Sequence, residues 1–382
     1  MNPLLELQNF GQSPWYDNIQ RAMLRSGELE RMIREDGLKG VTSNPTIFEK
    51  AINGSNDYDD ALADLLARNP AQSSRELFYH LAIEDIQQAA DLLRPVYDKT
   101  GGCDGMISLE VSPDLAHDTA TTVTEALRLA ERVNRPNLMI KVPATKEGLP
   151  AVTALIAEGI NVNVTLLFSV KRYEEVVEAY ISGLETAYKK GKPLSGIASV
   201  ASFFVSRVDA LVDKLLDEKL KTAPAEQHAQ LQGLQGKIAI ANAKMAYQAY
   251  ERLFSSPRFV KLRAAGAHAQ RLLWASTGVK NPAYSDVMYI ENLIGADTVN
   301  TIPPATYKAF KDHGKAQATL KNGWNEARRD IELLGQLGID LDAITQQLED
   351  EGVDAFIASF KTLLNAIDIK ASVMTSQMRA SA

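Results

Sequence analysis

Eight short apolar, β-favouring runs are spaced along the chain, and most are followed by a stretch with helical periodicity. That alternation constrains the fold more than any other feature. Strands alternating with helices pair in parallel through right-handed crossovers. Eight such units fit a closed (β/α)8 TIM barrel better than an open doubly wound sheet. No GxGxxG follows the first run, which argues against a dinucleotide-binding fold.

The runs span 13–18, 40–44, 105–111, 138–143, 160–168, 197–204, 270–275 and 297–301. Helices are expected at 18–36, 119–133, 149–158, 170–190 and 205–220. Two longer helical segments, near 46–102 and 222–266, read as insertions, the first interrupted at Asn53-Gly54 and Asn69-Pro70. From Lys321 the tail reads as helix broken at Gly335, Gly338 and Gly352. No repeat or linker divides the chain, so residues 1–382 are expected to form one barrel domain with helical additions.

The fourth run continues as LMIKVPAT, with a charge where a core strand should be aliphatic. Alternation puts Met139, Lys141 and Pro143 on one face and Leu138, Ile140 and Val142 on the other. An ammonium is costly to bury, so a buried lysine tends to shed its proton. The neutral amine is a nucleophile that forms Schiff bases with carbonyl substrates. The ordinary alternative is a lysine whose head reaches water along its stem.

Barrel active sites form at the C-terminal ends of the strands. The polar residues there are Asp17, Asn44, Glu110, Lys141, Asn163, Thr165, Ser202 with Arg207 beyond it, and Ser276 with Lys280 beyond it. Each has a plain structural explanation. Asp17 and Ser202 would cap helices. Asn44 before Pro45 is a turn signal. Glu110 would face solvent, Asn163 and Thr165 would satisfy each other, and Arg207 would pair with Asp209 or Asp213. Gathered at one barrel mouth, however, they supply what imine chemistry needs. An amine attacks a carbonyl, and carboxylates move protons at the carbinolamine and at the hydroxyl whose deprotonation breaks a C–C bond.

Composition narrows the partners. A net charge of -7 argues against nucleic acid or an anionic membrane surface. No run of ~18 apolar residues is present to span a membrane, and the first residues do not read as a signal peptide. The single cysteine, Cys103, fits a reducing, cytoplasmic setting. His80, His117, His228, His268 and His313 are scattered without metal-ligand spacing, so no metal site is expected.

The motifs WYDN, GVTSNPTIF, MIKVPAT and INVNVTLLFS resemble those of transaldolase, the class I Schiff-base transferase of the pentose phosphate pathway. The resemblance runs from WYDN to the eighth strand, and the length is similar to that of the longer bacterial subgroup. It implies Lys141 as the Schiff-base lysine and Asp17 as the proton-transferring aspartate. It implies Glu110 and Thr165 as the pair that handles a catalytic water, and Asn44 and Asn163 as contacts for the dihydroxyacetone hydroxyls. Ser202 and Arg207 match the serine and arginine after the sixth strand. The family's second phosphate-binding arginine follows the seventh strand; here ASTGVKN offers Ser276 and, at a shifted spacing, Lys280. Lysine holds a phosphate as a point charge, without the bidentate fork of arginine.

The implied reaction moves a dihydroxyacetone unit from sedoheptulose 7-phosphate or fructose 6-phosphate to an aldose phosphate. It needs no metal and no organic cofactor, and its partners are small sugar phosphates. Oligomeric state is not set by these residues. Two rivals stand beside it. A simple aldolase of the same architecture would release free dihydroxyacetone. A non-catalytic sugar-phosphate-binding barrel would keep Arg207 but would not need Lys141, Asp17 and Glu110 together.

Overall fold

The structure, a computed structural model, describes residues 2–381, with side chains through residue 377. Its strands are β1 (Gln12–Tyr16), β2 (Gly40–Val41), β3 (Met106–Glu110), β4 (Leu138–Pro143), β5 (Val162–Leu167), β6 (Ser199–Phe204), β7 (Arg271–Ala275) and β8 (Thr298–Ile302). They form a closed, all-parallel barrel in chain order, with β1 against β8. This is the (β/α)8 barrel that the alternation predicted. Nearly every strand residue is buried, because the strands lie between the barrel interior and a coat of helices.

The helices follow in chain order. α1 (Pro3–Glu6) precedes β1, and α2 (Arg21–Arg25) and α3 (Glu28–Glu35) follow it. Between β2 and β3 lie α4 (Pro45–Asn53), α5 (Asp59–Arg68) and α6 (Ser74–Lys99). Next come α7 (Thr119–Val133), α8 (Gly148–Ala157) and α9 (Val170–Lys189). Between β6 and β7 lie α10 (Ser206–Leu220), α11 (Ala225–Leu234), α12 (Ile238–Phe254) and α13 (Pro257–Ala264). α14 (Met288–Asn292) precedes β8, and α15 (Pro304–His313), α16 (Trp324–Gln336) and α17 (Leu341–Ser381) complete the chain. Local chemistry starts several of them. Asp118, Ser169 and Asn44 accept backbone N–H bonds at the N-termini of α7, α9 and α4, and Pro45 occupies the first turn of α4.

Three expectations need correction. The single helix expected over 18–36 is two, divided at Gly27, whose φ of 72° is left-handed. β2 ends at Val41: the Thr42 N–H still donates to the Tyr16 carbonyl at 2.9 Å, but the side chains of Thr42, Ser43 and Asn44 turn to Asp17, the Ser108 carbonyl and the Ile47 N–H. In the tail only Gly338 (φ 77°) breaks the helix; α16 runs through Gly335 and α17 through Gly352. Gly352 marks a close approach instead of a break: a Cβ there would lie 2.9 Å from Leu166 Cδ2 and 3.7 Å from an Arg207 nitrogen.

That approach reveals the path of α17. It packs on α4, α5, α6 and α10 and reaches β5, so it lies across the end of the barrel where the strands finish. Arg172 of α9 pairs with Glu349 at 3.2 Å, Thr46 of α4 bonds Ser359 at 2.9 Å, and Lys370 pairs with Asp59 of α5 at 2.7 Å. Below it, the β5–β6 register shifts between Val164 and Leu167, and Leu166 takes a left-handed φ of 62°. Such irregularities re-aim side chains beside functional sites.

Candidate active site

Strand register decides which polar side chains meet. Glu110 of β3 is opposite Lys141 of β4, Lys141 is opposite Asn163 of β5, and Pro143 is opposite Thr165. Parallel partners in register point to the same face, so Lys141 carries its amine between Glu110 and Asn163. Its side chain is only 5% exposed, so the reading in which it reaches bulk water is not what the fold adopts. Nζ donates to the Ser43 carbonyl at 3.2 Å and stands 3.3 Å from Glu110 Oε2. The second contact is close enough for an ion pair but not aligned as a hydrogen bond. Above the amine lies the Phe356 ring of α17, 5.7 Å from Nζ to the centroid.

Lys141 opens into a cavity of about 400 Å³ at the C-terminal mouth of the barrel. Its walls include Asp17, Asn44, Thr165, Ser202, Arg207, Ser276 and Lys280. Eight of the ten residues singled out from the sequence therefore share one chamber, counting Lys141. The other two lie behind its wall. Glu110 is buried beneath Lys141 and opens toward a small crevice beside Phe78 and Tyr79. Asn163 is fully buried; it donates to Ser108 Oγ at 3.0 Å and accepts from Ser202 Oγ at 2.6 Å. It presents Ser202 to the cavity and does not itself line the wall.

The plain structural explanations divide. Asn44 does cap α4, accepting from the Ile47 N–H at 3.0 Å, while also facing the cavity. Asp17 caps nothing; it accepts from Thr42 Oγ1 at 2.6 Å, and Thr42 also meets Thr301. Thr165 is not paired with Asn163: its hydroxyl, like both Glu110 oxygens, is buried without a hydrogen-bond partner among the described residues. Buried polar atoms of that kind are met by solvent or substrate. Arg207 pairs with neither Asp209 nor Asp213. Those aspartates accept from Tyr289 and Tyr284, whereas Arg207 lies half-buried over the Phe204 ring.

Electrostatics follow from burial. Desolvation pushes the Glu110 and Asp17 carboxyls up, and the nearby Lys141 ammonium draws both back down. A carboxyl raised by burial and facing an amine is suited to giving and taking a proton. Burial lowers the Arg207 guanidinium, with Glu351 opposing the shift. Among the described residues, Arg207, Lys280 and Lys50 of α4 all line the cavity without an ion-pair partner. Their chamber suits a small molecule that carries an anion at one end. Among the described residues no three His, Cys, Asp or Glu side chains gather as they would around a metal ion.

Sequence reasoning missed Thr42, Lys50, Thr301 and Phe356. Lys50 had a signal: Asn44, Ile47 and Lys50 share one face of α4 at helical spacing. Phe356 had none, because nothing local shows that α17 crosses the mouth.

The family described as Transaldolase/Fructose-6-phosphate aldolase matches residues 14–367. The "Transaldolase" of Trichodesmium erythraeum (strain IMS101) is 50% identical over 378 residues, covering 98% of this chain and 99% of its own. "Transaldolase 1" of Streptomyces avermitilis is 49% identical over 95% of this chain and 94% of its own. The "Transaldolase" of Thermobifida fusca (strain YX) is 49% identical over 96% of this chain and 97% of its own. A barrel with a buried lysine at its mouth, matched by that family over nearly its whole length, belongs to the transaldolase/fructose-6-phosphate aldolase family.

Proposed function

We propose that this enzyme is a transaldolase that holds its donor as an imine on Lys141. The carrying observation is the buried Lys141 amine in the cavity wall, 3.3 Å from the Glu110 carboxylate behind it. The amine attacks the C2 carbonyl of fructose 6-phosphate or sedoheptulose 7-phosphate. Glu110 takes a proton as the amine becomes a nucleophile. With water held by Thr165, it then moves protons as the carbinolamine loses water. Asp17, on the cavity wall, removes the proton from the C4 hydroxyl. The C3–C4 bond breaks, its electrons enter the imine as an enamine, and the aldose phosphate leaves. An acceptor aldehyde phosphate takes up the three-carbon unit, and water returns the lysine. Asn44 and Ser202 hold the sugar hydroxyls, with Asn163 behind Ser202. Arg207, Ser276 and Lys280 hold the phosphate. This work falls to one barrel domain with its helical additions, acting in the cytoplasm on small sugar phosphates. No helix among the described residues is long and apolar enough to cross a membrane.

Borohydride reduction in the presence of fructose 6-phosphate tests the reading. It should leave a reduced three-carbon adduct on the peptide containing Lys141, and Lys141→Met should lose both adduct and turnover. An adduct on any other lysine would sink the assignment.

A further inference from the structure

Lys280 lines the cavity, yet among the described residues it makes no hydrogen bond or ion pair that would fix it there. Its position depends on the backbone that carries it. That backbone is the segment 276–287 between β7 and α14, which contains neither helix nor strand. It supplies Ser276, Gly278 and Lys280 to the cavity. At its base the segment is fastened to α10: the Ser206 N–H donates to the Ser276 carbonyl at 3.0 Å, and the two hydroxyls lie 3.0 Å apart.

Beyond Lys280 the chain is exposed from 280 to 286 except at Tyr284. A turn delivers that residue: the Tyr284 N–H donates to the Asn281 carbonyl at 3.1 Å, and the Ala283 N–H to Asn281 Oδ1 at 3.0 Å. The Tyr284 hydroxyl then donates to Asp213 Oδ2 at 2.7 Å. Asp213 is held at its other oxygen by the Gly236 N–H at 3.0 Å. Asp213 lies on α10, the helix whose second residue is Arg207. One turn nearer that end of the helix, Asp209 accepts from Tyr289 of α14 at 2.9 Å, which anchors the far end of the segment. An exposed pair between His313 and Asp286 at 2.9 Å adds a surface contact.

We propose that Tyr284, through Asp213, is a positioning residue for substrate phosphate: it holds the β7–α14 segment so that Lys280 stays at the cavity wall. The proposal rests on the phosphate role of Lys280 given above. A group on a loose loop loses backbone and side-chain freedom when it engages a ligand, and that loss is subtracted from affinity. A tether made before binding reduces the loss. The Tyr284–Asp213 bond lies outside the cavity lining and touches no reacting atom, so its effect belongs to phosphate binding and not to the chemical step.

The test is a double-mutant cycle on the full-length enzyme with fructose 6-phosphate and plain fructose as donors. Tyr284→Phe keeps the ring and removes only the hydroxyl. It should raise KM for fructose 6-phosphate about three- to tenfold, the scale of one modest hydrogen bond. It should leave kcat and the KM for fructose unchanged. Asp213→Asn leaves one acceptor where two donors, the Tyr284 hydroxyl and the Gly236 N–H, converge, so it should raise the KM for fructose 6-phosphate as well. In a Lys280→Ala background, Tyr284→Phe should add nothing further. If Lys280→Ala raises KM for the phosphorylated donor while Tyr284→Phe changes only thermal stability, the positioning role is overturned. A full effect of Tyr284→Phe without Lys280 would also overturn it, because the tether would then act through another group. A silent Lys280→Ala would remove the phosphate role itself, and the inference with it.

Discussion

At the residue scale the proposed chemistry rests on Lys141 and the carboxyls of Asp17 and Glu110, and the structure gives the carboxyls different places. Asp17 stands on the cavity wall with one oxygen bonded to Thr42, whereas Glu110 lies beside the amine with no hydrogen-bond partner among the described residues. Different places predict different blocks. Asp17→Ala should still form the imine but fail to cleave it, so borohydride should trap the uncleaved six-carbon ketose. Glu110→Ala should slow trapping itself. Each loss should be of the order of 10²–10⁴-fold, the usual range for a general acid or base. Trapping of only the three-carbon unit at a normal rate in Asp17→Ala would reverse the assignment. Most of the site could be read in the sequence because it consists of polar residues breaking apolar strands. Burial could be inferred for Lys141, and register then brought Glu110 to it. What could not be read was depth. Asn163 and Ser202 look equivalent as strand residues, but only Ser202 reaches the cavity, because Asn163 spends both ends of its amide on Ser108 and Ser202.

Elements explain where reading by local pattern succeeds and where it stops. The breaks at Asn53-Gly54 and Asn69-Pro70 fall at the ends of α4 and α5, because both are decided by neighbours along the chain. Gly352 is decided by a residue far away, Leu166, and so a local rule for glycine misplaced a break there. α10 is an element whose burial has a consequence for pH. Asp209 is 1% exposed, and desolvation pushes its carboxyl from 3.8 to about 7 against the Ala239 N–H and Tyr289 hydroxyl bonds. The folded state thus keeps this proton to a higher pH than the unfolded chain. The stability it contributes is fully present below about pH 4 and is lost as pH rises through about 7. Asp209→Asn cannot titrate. Relative to the wild type, its unfolding free energy should gain about 2–3 kcal/mol between about pH 5 and pH 8. Denaturant unfolding of both proteins at the two pH values measures it. A difference between them that does not move with pH would place the Asp209 pKa in the ordinary carboxylate range.

For the whole molecule, net charge and local charge make opposite predictions about how the substrate arrives. The chain carries a net charge of -7, which alone would repel a sugar phosphate. Its cavity mouth carries Arg207, Lys280 and Lys50, none in an ion pair among the described residues, on α10, the β7–α14 segment and α4. Screening decides between these fields by distance. At physiological ionic strength the Debye length is about 8 Å, so charge spread over the surface is largely screened while cations lining a small cavity are not. The approach of the dianion is then governed by the mouth, which attracts it. Raising ionic strength from about 0.15 M, where the surface charge is already screened, to about 1 M, where the cations are screened too, should therefore lower kcat/KM for fructose 6-phosphate several-fold. It should leave kcat/KM for plain fructose nearly constant. Lys50→Gln should flatten the salt dependence without abolishing it, because two cations remain. A kcat/KM for the phosphorylated donor that rises with salt would mean that the overall negative field dominates, and that the three cations act only after the substrate has docked.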